Sequence, residues 1–140
     1  MIDDIYNKDV LRLAANIGGL GALENPDATA ALRSPLCGSS IEISLSTEGD
    51  AITGYSQSIK ACALGQASAS VMAKAAIGKS KDDIRAMRDQ VDAMLTKNGP
   101  APKGEWAGLA ALAPAKDAKP RHGAILLPFD VVLKALEDLT

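Results

Sequence analysis

A chain of 140 residues with 47% hydrophobic side chains is the size of one compact domain, 1–140, built on one core. Only 3% of residues are aromatic, so that core must come from Ala, Leu, Ile, Val and Met, a composition that suits helices packed on a sheet. The net charge is −2 and Lys and Arg are scattered, which excludes the electrostatic footprint of a nucleic-acid binder.

The acidic start, Met1-Ile2-Asp3-Asp4-Ile5-Tyr6, is unlike a secretory signal, and no apolar run reaches the ~20 residues that cross a bilayer. A cytoplasmic protein without membrane attachment is expected. In that reducing compartment the two cysteines, Cys37 and Cys62, are expected as free thiols or ligands and not as a structural disulfide.

Tyr6, Val10, Leu13, Ile17 and Leu20 recur at helical spacing, and Gly18, Gly19 and Gly21 supply a stop, which predicts one amphipathic helix at the start. Glu24 to Leu36, with Pro26 and Pro35, reads as loop with an edge strand at most. From Ser40 the pattern alternates: Ile41, Ile43 and Leu45 on one face, Glu42, Ser44 and Ser46 on the other. That is a half-buried strand, turned by Glu48-Gly49-Asp50 into a returning strand from Ala51 to Lys60.

After Cys62 the small residues Ala63 to Ser70 predict a helix able to lie close to a sheet, ending by Gly78. Ser80-Lys81-Asp82-Asp83 is a capping signal for a helix with Ile84, Met87, Val91, Met94 and Leu95 on its apolar face and Asn98-Gly99-Pro100 at its end. Trp106, Leu109 and Leu112 predict a short helical turn. Phe129, Val132, Leu133, Leu136 and Leu139 predict a last helix, with Pro128 at its first position. The order of elements gives an α+β class: a small antiparallel β-sheet packed against several helices.

Chemistry concentrates on three side chains. Cys37 precedes Gly38 at a tight loop entering the first clean strand. Cys62 lies where the second strand gives way to a helix, and there the helix dipole, unpaired amides and Lys60 favour thiolate. A hairpin with one cysteine at its entrance and one at its exit brings both to the same end of the sheet. His122, the sole histidine, sits in the loop-like run Lys119-Pro120-Arg121-His122-Gly123; folded over that end, it would complete a three-ligand site suited to zinc or iron. The plainer alternatives are a cysteine serving as a small buried hydrophobe and a histidine serving as a surface or hydrogen-bonded residue.

Other chemistries fit less well. Asp3, Asp4, Asp82 and Asp83 read as helix-start residues, Gly18-Gly19-Leu20-Gly21 closes a helix where a phosphate loop would open one, and Ser68 and Ser70 have no second histidine to activate them. A Cys62–His122 nucleophile and base pair lacks a third orienting group.

Ser34-Pro35-Leu36-Cys37-Gly38-Ser39, the block Lys60 to Met72, Ile77-Gly78-Lys79-Ser80 and the His122 region together resemble the U-type iron–sulfur cluster scaffold family, the IscU, SufU and N-terminal NifU group, and the Trp106 stretch is similar to its longer SufU-like branch. The resemblance implies a non-enzymatic scaffold that receives sulfur from a cysteine desulfurase, holds iron, zinc or a [2Fe-2S] cluster and serves apo-protein acceptors, with a homodimer left open. It implies Cys37 and Cys62 as the first two cysteine ligands and His122 as the residue before the third. The third cysteine position is Gly123, the Asp of Cys-Gly-Asp is Ser39, and the motif that recruits a specialised Hsp70 is replaced by Lys116-Asp117-Ala118-Lys119-Pro120. These departures leave a second expectation beside the first: a degenerate scaffold fold acting as an interaction or regulatory module without a cluster. A third is a sulfur acceptor that carries persulfide on Cys37 or Cys62.

Overall fold

The computed structural model describes residues 7–34, 38–137 and 139. Its first element, α1 (Lys8–Ala15), starts where the Asn7 side chain accepts a hydrogen bond from the Val10 N–H at 2.9 Å, and it buries Val10. It ends earlier than the apolar spacing predicts. Asn16 caps the last turn, its amide nitrogen donating to the Arg12 carbonyl at 2.8 Å, so Ile17 and Leu20 fall outside the helix; Tyr6 lies outside the described residues. The chain then runs extended beside the edge of the sheet. The Gln57 N–H donates to the Gly19 carbonyl and the Gly21 N–H to the Gln57 carbonyl, a path for which Gly19 (φ +69°) and Gly21 (φ +119°) supply the left-handed backbone.

The sheet is three-stranded and antiparallel in the order β1 (Ala28–Arg33), β2 (Ser40–Glu48), β3 (Ala51–Lys60). The alternating segment pairs as expected, with Ile41 opposite Ile59, Ile43 opposite Gln57 and Leu45 opposite Tyr55 on the covered face. β1 is the edge strand that the sequence left open within a loop. Its Ala28, Ala30 and Leu32 continue the same face opposite Leu45, Ile43 and Ile41, and small alanines there leave room for the helix packed above.

Four further helical elements follow, the first and last packed on that face and the middle two packed against them. They are α2 (Ala63–Ala75), α3 (Lys81–Lys97), a 3-10 helix (Gly104–Asp117) and α4 (His122–Glu137), with one 3-10 turn at Lys119–Arg121 leading into α4. One continuous apolar cluster joins the inner sheet face to all of them, with Trp106 and Phe129 in tilted ring contact at 5.7 Å. At α3 the expected capping box forms between Ser80 and Asp83, and Asn98 closes the helix in a left-handed conformation. Two boundaries differ from expectation. The Trp106 region is a long 3-10 run and not one turn. The last helix begins six residues before Pro128, so the proline lies inside it and His122 opens a helix where a loop was expected.

Candidate metal and sulfur site

The register places Arg33, Ser40 and Lys60 side by side, so the β1–β2 connection and the exit of β3 share one end of the sheet. That connection, residues 34–39, is closed by two backbone hydrogen bonds: the Ser34 N–H donates to the Ser39 carbonyl at 2.7 Å and the Gly38 N–H donates to the Ser34 carbonyl at 3.0 Å. Gly38 takes φ +71°, which a residue with a side chain adopts only under strain. Cys37, with Pro35 and Leu36, lies outside the described residues.

Cys62 comes two residues after Lys60 and is the N-cap of α2, extended at φ −67°, ψ 171°. It is partly buried and free of a disulfide, and its side chain makes no capping hydrogen bond, so the sulfur is not committed to the amides of its own helix. No acidic residue stands in the first turn of α2, which leaves the positive end of the helix uncompensated there. Gln66 braces the junction, its backbone N–H donating to the Cys62 carbonyl and its side chain to the Ala61 carbonyl, both at 3.0 Å.

The first turn of α4 packs into the same corner. A Cβ at Gly65 would sit 2.8 Å from Ala61 Cβ and 3.3 Å from the Ala124 carbonyl oxygen, so only glycine lets α2 and α4 approach this closely beside Cys62. A Cβ at Gly123 would lie 2.9 Å from Ser34 Oγ. α4 thus touches both the end of β1 and the start of α2.

His122 begins that turn, but its ring is tied to the 3-10 helix. Nε2 lies 2.9 Å from the Ala115 carbonyl oxygen; a carbonyl only accepts, so Nε2 is the donor of this hydrogen bond. The ring borders a cavity with Leu95, Thr96, Asn98, Lys116, Asp117 and Lys119, none of which comes from the sheet. Among the described residues no group of three His, Cys, Asp or Glu side chains is gathered to hold a metal; the described residues do not include Cys37. The arrangement therefore brings Cys62, the described ends of the 34–39 connection and Gly123 together at the sheet end, while the His122 ring is held against the 3-10 helix.

One contributor was not singled out from sequence. Ser34, 4% exposed, stands at the mouth of the connection with its hydroxyl against Gly123. Its signal was Ser34 directly before Pro35 in the same short block as Cys37, combined with a residue at 123 that has no side chain.

An antiparallel three-stranded sheet covered on one face by helices, with a cysteine at a helix start at the sheet end, defines a small α+β protein. The chain belongs to the NifU-like N terminal domain family, whose model matches residues 5–117. It is similar over nearly its whole length to the N-terminal part of a nitrogen-fixing NifU-like protein from Brucella abortus, at 45% identity and TM-score 0.94, covering 99% of this chain and 96% of that one. A candidate iron-sulfur cluster assembly scaffold protein for the SUF system of Fervidobacterium islandicum AW-1 shares the fold at 23% identity and TM-score 0.84, over 94% and 96% of the two chains. No curated protein matches the chain significantly.

Proposed function

We propose that the protein is a non-enzymatic, cytoplasmic carrier in iron–sulfur cluster assembly, a single domain over 1–140 that binds zinc, iron or a [2Fe-2S] cluster through Cys37, Cys62 and His122. The observation that carries this reading is the uncommitted Cys62 side chain at the start of α2, at the sheet end where the connection bearing Cys37 enters, in a chain of the NifU-like N terminal domain family. The donor chemistry fits. Two thiols and an imidazole suit zinc and iron–sulfur chemistry, and a histidine whose other nitrogen donates to a backbone carbonyl is the arrangement that orients metal-ligating imidazoles. No described helix is long and apolar enough to cross a membrane.

Sulfur reaches such a carrier by exchange. A cysteine thiolate of this chain attacks the terminal sulfur of a persulfide on a cysteine desulfurase, a new S–S bond forms, and the desulfurase leaves as its thiolate. The helix start at Cys62 assists by its positive dipole. The cargo then passes to apo-protein acceptors.

Gly123 favours a second reading, because a site without a side chain at that position has one donor fewer: the fold would serve as an interaction or regulatory module for the desulfurase machinery. Incubation with a cysteine desulfurase, free cysteine and ferrous iron without oxygen separates the two. Persulfide on Cys62 or Cys37, or sulfide held by the protein, is the carrier's result. Stable association with the desulfurase, with no sulfur transferred, is the module's.

A further inference from the structure

The outer edge of β3 is only partly occupied. Gln57 commits its edge-facing backbone groups to Gly19 and Gly21, and Leu20 bridges it in parallel, but the chain then leaves the sheet. Backbone groups face the same edge at every second residue, so the N–H and carbonyl of Ile59 point the way those of Gln57 do. Among the described residues they have no partner. Free strand groups of this kind are a template for another strand.

Beside this edge the departing segment forms a cleft of about 490 Å³, with Leu20, Gly21 and Ala22 on one side and Ser44, Ser58 and Ile59 on the other. Leu20, 62% exposed, offers an apolar wall. Ser56 stands directly opposite Ser44 and two residues before Ser58, on the same face of the sheet. It is 6% exposed, and its Oγ is a buried side-chain oxygen with no hydrogen-bond partner among the described residues. Native structures seldom leave such a group unmet.

Charge narrows the choice of occupant. Arg33, Ser40 and Lys60 stand in one row across the sheet and border a second hollow of about 380 Å³, in which Glu42 offsets one of the two positive charges. Neither Arg33 nor Lys60 has an ion pair among the described residues, so an incoming carboxylate would complete the row. A second copy of this chain fits poorly. Antiparallel pairing about Lys60 sets two lysines opposite one another, and pairing about Ile59 brings residue 61 of the copy against Gln57, whose edge Gly19 and Gly21 already hold.

We propose that the free end of the β3 edge, Ser58 to Lys60, takes an extended, acidic segment of the cysteine desulfurase as an added strand. This rests on the reading of the protein as a sulfur carrier. The added strand would lie two residues from the helix start at Cys62.

Hydrogen exchange of the protein, alone and bound to the desulfurase, tests the docking mode. Exchange over residues 58–61 is expected to slow on binding. A p-benzoylphenylalanine at position 58 should crosslink to one acidic segment of the desulfurase, and one at position 29, exposed on the opposite edge strand, should not. Lys60→Glu is expected to weaken binding by about 10-fold or more, while Lys60→Arg binds as wild type. Unchanged exchange at 58–61 in a complex that still transfers sulfur, a crosslink from position 29 in place of 58, or full affinity in a folded Lys60→Glu would overturn the docking mode alone. No complex with the wild type, or a complex in which no sulfur passes to this chain, would overturn the carrier reading itself. Circular dichroism of each variant confirms the fold.

Discussion

Ser68 Oγ, fully buried in α2, donates a hydrogen bond to the Ile125 carbonyl of α4 at 2.6 Å. Pro128 has no N–H for the Ala124 carbonyl, and the Ser68 hydroxyl meets the next carbonyl of the same turn, which ties α4 to α2. Ser68→Ala should lower stability by about 1 kcal/mol, seen as a reduced urea midpoint with an unchanged slope.

Gln57 fastens the extended segment after α1. Fully buried, its side-chain nitrogen donates to the Gly18 and Ala69 carbonyls at 2.9 and 3.2 Å, while its oxygen accepts from the Tyr55 hydroxyl at 3.1 Å. Burial pushes the Tyr55 phenol well above its ordinary range, so the hydroxyl remains a donor at neutral pH. Gln57→Ala leaves two buried carbonyls and a phenol without that partner, a loss of about 2–4 kcal/mol. Amide exchange should quicken first at residues 18–21.

The capping box of α3 gives a pH signature. The Asp83 carboxyl is held below its ordinary value of 3.8, chiefly by the Ser80 backbone N–H and then by the Ser80 hydroxyl. A carboxyl lowered in the folded state adds stability above its unfolded pKa, and that stability is lost as pH falls through the folded value. Asp83→Asn should therefore flatten the acid side of the melting-temperature profile below about pH 4. Ser80→Ala should cost about 1 kcal/mol at neutral pH.

Two glycines at the sheet end should respond in opposite ways. Gly65→Ala gains about 1 kcal/mol of helix propensity but drives a methyl to 2.8 Å from Ala61 Cβ, and overpacking of about 1–3 kcal/mol outweighs the gain. Gly123→Ala meets only the Ser34 hydroxyl, which can rotate away. Its thermal stability should hold or rise, whereas Gly65→Ala should lose stability.

The hairpin, the capping box and the small-residue helix were legible because period, turn chemistry and cap residues agreed at each. The misjudged boundaries have local causes. Asn16 stops α1 before the glycines do, and Pro128, read as a helix start, lies inside α4, whose preceding turn is packed against α2 and held to it by the Ser68–Ile125 hydrogen bond. β1 was obscured by alanines that are apolar but carry little strand propensity, and they sit there to admit α4. At the site, the position of Cys62 at a helix start followed from the change to small residues. The tie between His122 and Ala115 did not, since it depends on a 3-10 run whose length no residue pattern announced.

The most direct test of the account is the metal and acid-labile sulfide content of protein purified without oxygen, for the wild type and for Cys37→Ala, Cys62→Ala and His122→Ala. The account predicts close to one metal ion or cluster per carrier site in the wild type and its loss in each variant, with sulfide distinguishing a cluster from a single ion. A wild-type protein without metal, under conditions that load another member of its family, would contradict it and leave the fold as a surface for partners.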